Sequence, residues 1–480
     1  VAAGQRDLTQ GPIGSTLLLF GLPTLGSNIL QSLNGSINTI WVGRFLGEQA
    51  VAATANANLI MFLMFSIVFG FGMASTVLIA QATGARDIDA ARRAFGSAVG
   101  FCFLFALLVA TAGWIGAPAL LRLLATPAEA FDLALAYLRV IFISMPATLL
   151  SVMMTMGVRG TGDARTPFYF MLLNVGLDLI LNPVLILGLG PAPAWGIAGS
   201  AAATAFAGFI SFAALVAYTY SRDLPLRLRG AEWSYLRPAM VQLRILVVKG
   251  LPMGLQMIVA SASGLVMIGL VNREGLLATA AYGAAQQLWS YLQMPSMAIG
   301  GAVSAMAAQN LGAGRWDRIS KITAYGLVYL VGFTGLMVAL MLWFHHPLLA
   351  LFLGDKSAAI PLAWRMQVIA SWSFILFGGA MIYFGIMRAN GVVVRPLIIM
   401  IVALFGARLG FYAVAYPYMG ADALWWSYPA GSLTALLLAG YSYYRGDWRS
   451  AKLMVPPSEE ECVENVNSEA EATGRIAPVG

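Results

Sequence analysis

Asp178 is a carboxylate in a stretch that has no other charge. It lies in Leu172-Leu173-Asn174-Val175-Gly176-Leu177-Asp178-Leu179-Ile180-Leu181-Asn182, with amides four residues to either side. On a helix, positions i−4, i and i+4 share a face, so Asn174, Asp178 and Asn182 would form one polar patch on an apolar rod. Pro183 follows, and a proline inside a helix leaves a carbonyl of the previous turn without its hydrogen bond. Carboxylate, amide and carbonyl oxygens gathered in this way suit a proton or a hard cation such as Na+, with Asp178 and Asn174 as its candidate ligands. An ionised group at a bilayer centre costs about 2.5–3.5 kcal/mol on insertion scales, which makes such a residue a functional candidate by default.

A second polar stripe comes earlier. Ser27, Gln31, Asn34 and Asn38 recur at i, i+4, i+7 and i+11, again one helix face. Amides in this arrangement can glue helices inside a bundle, or they can face Asp178, since buried polar groups need partners. The two stripes are expected to share a pocket. Other residues are candidates for a substrate cleft: Gln31, Asn34, Met61, Met64, Met257, Gln287, Trp289 and Arg408. Flexible Met-rich and aromatic surfaces suit promiscuous binding, although the same side chains serve as ordinary packing. Arg408 and Arg139 both fall within apolar runs; Arg408 could line the cleft, pair with a carbonyl, or reach towards an interface. His345-His346, before Pro347, reads as the structural end of a span.

The elements that must hold these residues follow from composition. The chain has 480 residues, is 59% apolar and 10% charged, and has a mean hydropathy of +0.78. Soluble proteins carry about 25% charged residues, so the solvent here is a bilayer. Crossing one takes about 20 mainly apolar residues. Twelve such runs occur, at 14–41, 53–80, 94–116, 132–157, 167–189, 195–220, 245–271, 283–308, 319–344, 362–387, 396–418 and 422–444. Their continuous apolar character excludes a β-barrel, whose strands alternate. Lys and Arg concentrate in alternate loops, as in Arg86, Arg92 and Arg93 or Arg222, Arg227, Arg229 and Arg237. By the positive-inside rule this places both termini in the cytoplasm, and the expected location is the inner, plasma membrane. A net charge of +7 spread over short loops offers no continuous face for nucleic acid. Segment 1–13 is then a cytoplasmic start, and 221–244 a basic cytoplasmic linker suited to anionic lipid head groups. Segment 445–480 is a cytoplasmic tail, acidic and poor in apolar residues after Val455, expected to be disordered.

The chain is also internally duplicated. Gly21-Leu22-Pro23 returns as Gly250-Leu251-Pro252, and Arg159, Gly162 and Pro167 return as Arg388, Gly391 and Pro396, always 229 residues on; Gln81 and Gly84 return as Gln309 and Gly312 after 228. Because each set holds six spans, the halves insert in the same sense. The expected fold is an all-α membrane protein with twelve transmembrane helices in two parallel-repeat six-helix bundles, 14–220 and 245–444, around a central cleft. Two facing bundles that rock provide the geometry for alternating access. An intramembrane enzyme would need a nucleophile with a base, or a metal cluster, and two histidines with two separate cysteines do not supply one. A flippase for lipid-linked saccharides would want a cleft rich in Arg and Lys, which the first, second, seventh and eighth spans lack.

Over 12–445 the chain resembles the multidrug and toxic compound extrusion (MATE) family. The resemblance is carried by Asn38-Thr39-Ile40-Trp41-Val42-Gly43-Arg44-Phe45-Leu46-Gly47, by Arg159-Gly160-Thr161-Gly162-Asp163 through Pro167, and by Asn174 with Asp178. It implies a secondary active antiporter that exports amphipathic, often cationic compounds in exchange for H+ or Na+, with no cofactor, acting as a monomer among membrane lipids. It implies that Asn174 and Asp178 fall on the cation site of the first bundle, with Thr204 as its hydroxyl ligand. Asn38 stands where many DinF-like relatives carry an Asp. Ala260 and Phe377 stand near positions where the NorM branch places acids. Asp178 is thus the one membrane-embedded carboxylate expected to couple transport, which places the chain nearer the DinF-like side. A flippase or exporter of a lipid-linked or other endogenous metabolite is the alternative.

Overall fold

The computed structural model describes residues 6–123, 126, 128–188 and 194–451, and all regular structure among them is helical. The acidic segment 452–480 and the first five residues lie outside the described residues, so the expectation of a disordered tail is not addressed by the structure. In the first half come α1 Ile13–Leu46, α2 Glu48–Gly84, α3 Ile88–Leu123, α4 Ala128–Gly160, α5 Arg165–Leu187 and α6 Gly196–Ser221. In the second come α7 Met240–Asn272, α8 Leu276–Gly312, α9 Ile319–Trp343, α10 His345–Leu353, α11 Ile360–Ala370, α12 Ser373–Ala389, α13 Val394–Ile401, α14 Arg408–Met419 and α15 Asp422–Arg445.

Nine stretches among the described residues are long and apolar enough to cross a membrane, and the bent pair α11 and α12 makes a tenth. The remaining two crossings are α8, with 37 residues, and α15, with 24. Both are more polar because their surroundings are protein: α8 packs against α1, α2, α9, α11 and α12, and α15 against α11, α12 and α14. A helix sheathed by other helices does not need an apolar surface all round.

Three details differ from the spans read off the sequence. The tenth span is broken by about 40° between Ala370 and Ser373. His345 and His346 do not end the ninth span; they open the separate short helix α10, where the His345 ring stacks on Trp364 at 3.8 Å. The linker is shorter than 221–244, since α7 starts at Met240, and it is pinned to α3. Arg92 pairs with Glu232 at 2.6 Å, Tyr235 donates to Asp89 at 2.8 Å, and Gly96 and Gly100 lie against Tyr235 and Leu236. Within it, Arg227 and Arg229 both pair with Asp223.

The two halves lock together at the end of the molecule that carries the basic loops. Gly84 of α2 lies on the Gln309 carbonyl, and Gly312 of α8 lies on the Gln81 carbonyl, so close that a Cβ at either would overlap backbone. The side chains repeat the exchange. Gln81 Nε2 donates to Ala389 O at 2.7 Å and Gln309 Nε2 to Gly160 O at 2.9 Å, and Gly160 and Ala389 are themselves 229 residues apart. The chain start seals the seam: Leu8 N donates to Gln309 Oε1 and Asn310 Nδ2 to Leu8 O.

Candidate functional site

Asp178 sits at the middle of α5, fully buried, as does Asn182 one turn on. Three other helices bring polar groups to it. The α5–α6 hairpin is drawn tight because Gly199 lies directly on the Leu185 carbonyl and Trp195 N donates to Leu185 O at 3.0 Å. That packing carries Thr204 alongside, and its Oγ1 donates to Asp178 Oδ1 at 3.0 Å. Asn182 Nδ2 donates to the same oxygen at 3.2 Å and to Asn38 Oδ1 at 2.7 Å. Asn38 Nδ2 in turn reaches Thr204 Oγ1 at 3.3 Å, closing a ring across α1, α5 and α6. Asn34, one turn before Asn38, adds its amide to the field on the carboxylate, and Tyr137 of α4 lies within Coulombic range of it.

What remains unmade in this ring is the more informative part. Asp178 Oδ2, Asn174 Oδ1, Asn182 Oδ1 and Asn34 Oδ1 are all buried without a hydrogen-bond donor. A buried acceptor left unsatisfied costs about 1–3 kcal/mol, and four on one patch make a strong demand for a proton or a cation. Among the described residues, no ion pair ties Asp178 to an arginine or lysine. Nor is there a cluster of three or more His, Cys, Asp or Glu for a transition metal.

The stripe on α1 divides. Asn34 and Asn38 meet Asp178, whereas Ser27 Oγ donates back to Pro23 O at 3.0 Å in its own helix, and Gln31 is exposed. Met61 and Met64 on α2 are half-buried against the main apolar core, and Met257 on α7 and Gln287 on α8 are also half-buried. Trp289 is not on a cleft wall. It is packed inside the second half, its Nε1 donating to Gln367 Oε1 at 2.8 Å, because a bulky ring with one N–H is best satisfied in a core that offers one acceptor. Arg139 lies over Trp114 at 5.3 Å.

Arg408 is also interior, only 7% exposed, at the first turn of α14 directly after a π-helical stretch, Val402–Ala407. Its guanidinium stacks on Tyr428 at 3.4 Å from the ring centre, and Nη1 donates to Ser263 Oγ at 3.4 Å. Tyr137, Ser263 and Tyr428 were not singled out from sequence. For Ser263 a signal existed, since it follows Asn34 by the 229-residue repeat period. Tyr137 and Tyr428 are two of 17 tyrosines and carry no spacing that marks them.

Comparison with known proteins agrees with this architecture. The MatE family profile matches residues 23–184 and again 252–413, two stretches set apart by the repeat period. YoeA of Bacillus subtilis (strain 168), named a probable multidrug resistance protein, is 37% identical over 442 residues, covering 91% of this chain and 95% of its own. A protein of Shewanella oneidensis named an FAD transporter is 26% identical over 365 residues, 76% of this chain and 80% of its own. Among solved structures, the outward-facing conformation of a multidrug resistance MATE family transporter superposes with a TM-score of 0.83 at 20% identity, over 93% of this chain and 98% of that one.

Proposed function

Since the chain belongs to the MATE family of membrane transporters, we propose that it is a secondary active antiporter in which H+ or Na+ captured at Asp178 drives export of amphipathic, often cationic compounds. The single observation that carries this reading is the patch of four donorless buried oxygens around a carboxylate that no basic side chain neutralises. Asn182 and Thr204 hold one carboxylate oxygen, Asn38 is bonded to both of them, and the other carboxylate oxygen stays free to take the ion. Asn174 and Asn34 supply further oxygens if the ion is Na+. If it is H+, the new O–H on Oδ2 finds an acceptor among the same oxygens.

The ring spans α1, α5 and α6, so occupancy changes how these helices hold one another. A ligand moves a conformational equilibrium only through its differential affinity for the two states. Ion and drug that favour opposite states of the rocking halves supply that difference. With the basic loops on the cytoplasmic side, both termini lie inside, and the seam of Gln81, Gly84, Gln309 and Gly312 closes the cytoplasmic end. The conformation described is then the one facing outward. The protein acts in the plasma membrane as a monomer, with halves 14–220 and 245–444 as the moving bodies.

The test is transport in proteoliposomes with pH and Na+ gradients imposed separately. Wild type should accumulate a cationic dye under one of the gradients, and Asp178→Asn should not. Full gradient-driven transport by Asp178→Asn would remove the reading. Arg408 and the relative named an FAD transporter favour a second reading, export of an anionic endogenous metabolite through the same fold.

A further inference from the structure

The repeat assigns Arg408 a counterpart. Pro167 and Pro396 are 229 residues apart, and at that period Asp178 would fall on Ala407. Between Pro396 and Arg408, however, lies the π stretch Val402–Ala407. A π turn takes one residue more than an α turn, so every later position is displaced by one and Arg408 takes the place of Asp178. The neighbours agree. Asn34, which faces Asp178, maps at 229 onto Ser263, which bonds Arg408. The helices α6 and α15 are each introduced by a glycine of positive φ, Gly196 at 55° and Gly420 at 58°. Eight residues beyond each glycine stand Thr204, bonded to Asp178, and Tyr428, stacked on Arg408. Three positions correspond, and the central charge is reversed.

Arg408 is only 7% exposed, and no carboxylate lies within ion-pair distance among the described residues. Its Nε and Nη2 have no partner. These two nitrogens form one edge of the guanidinium, with parallel N–H groups spaced for two oxygens of one anion. The flanking surface is aromatic: Tyr428 and Tyr282 join hydroxyls at 2.6 Å, and Trp289 lies 4.9 Å from the Tyr428 ring. Tyr428 is half-buried whereas Tyr282 and Trp289 are buried, so the ring covering the guanidinium is the one that touches open space.

From this geometry we infer that the second half contains an anion subsite, in which the free edge of Arg408 takes the carboxylate or phosphate of an aromatic substrate. The inference deepens the transporter reading, and rests on it, by adding to the substrate class compounds that carry an anionic group beside their ring. The free edge of Arg408 is closed to solvent in the conformation described, and displacement of Tyr428 opens it.

Equilibrium binding to the purified full-length protein, without any gradient, separates this claim from ion coupling. The probes are matched pairs: a fluoroquinolone acid against its methyl ester, and riboflavin 5′-phosphate against riboflavin. Wild type and Asp178→Asn should both bind one anionic member about tenfold or more tighter than its neutral mate, as expected for charge-assisted hydrogen bonds. Preference for the acid identifies a carboxylate site, and preference for the 5′-phosphate identifies a phosphate site. Arg408→Gln should abolish the preference while leaving ester and riboflavin affinities unchanged. Arg408→Lys keeps the charge without the fork and should retain only part of the preference, which covers the case in which Arg408→Gln does not fold. An undiminished preference in both Arg408 variants would overturn the inference, as would no preference in wild type. So would saturation of the site by chloride alone with no competition from the anionic probes. Loss of dye transport in Asp178→Asn with the preference intact would leave both readings standing.

Discussion

At the basic end, the two halves do the same thing to each other. Gln81 reaches the C-terminus of α12 as Gln309 reaches that of α4, and Gly84 and Gly312 each rest on the other half's glutamine carbonyl. Deep in their interiors the halves are opposites. The first buries a carboxylate ringed by amides and a hydroxyl; the second buries a guanidinium beside a serine and under a tyrosine ring. A shared contact surface constrains both copies of a repeat equally, because each supplies the groove for the other. Asp178 is held by groups on α5 and α6 with Asn38 of α1 behind them, and Arg408 by groups on α7 and α15, so the two charges are held by different elements. The duplication is symmetric where the halves meet and reversed in charge where each half is buried.

That contrast can be broken at several points. The largest effect is expected from Asp178→Asn, which should reduce gradient-driven dye uptake to the level of empty liposomes; uptake that persists would mean that the first half's charge does not couple transport. Thr204→Ala removes a 3.0 Å hydrogen bond to the carboxylate. A bond to a charged group contributes about 1.5–3 kcal/mol, so where Na+ is the ion its affinity, read from the gradient needed for half-maximal uptake, should fall by roughly tenfold or more. Tyr428→Ala, at the matching place in the other half, should leave that ion affinity alone and weaken binding of aromatic anions.

The shared part of the comparison is tested by a pair. Gly84→Val and Gly312→Val should each destabilise the closed seam by about 1–3 kcal/mol through overpacking, lowering the thermal-unfolding midpoint in detergent by similar amounts. Unequal shifts would show that the two crossings are not equivalent. The smallest effect is expected from Ser263→Ala, which loses a long 3.4 Å contact. A typical net hydrogen-bond contribution of about 0.5–1.5 kcal/mol sets the upper bound on the lost affinity for an anionic probe, and affinity for its neutral ester should be unaffected.

Much of the first site was legible in the sequence. A carboxylate within a hydrophobic run is conspicuous because its desolvation is costly, and amides at i−4 and i+4 mark the face on which it lies. Asn38 could be placed beside it only as the best available partner for a second stripe, since nothing local says which face of α1 packs on α5. Ser27 and Gln31 show the limit of that argument: they share the stripe, but one satisfies itself on Pro23 O and the other stays exposed. The role of Arg408 was hidden for a different reason. Its equivalence to Asp178 depends on one extra residue absorbed in a π turn, and a π turn has no reliable sequence signature.

Composition and periodicity alone determined that the chain is a duplicated set of membrane helices with one costly acid in its first half. These are properties of single segments and of their solvent: apolar length sets the crossing, and an isolated charge in such a length is improbable without a use. Tertiary structure decided which polar groups meet, that four oxygens at Asp178 lack donors, and that a base stands in the acid's place in the second half. Each depends on the rotation of one helix about its axis against another, which side-chain packing and a single π turn set, and which no stretch of sequence encodes by itself.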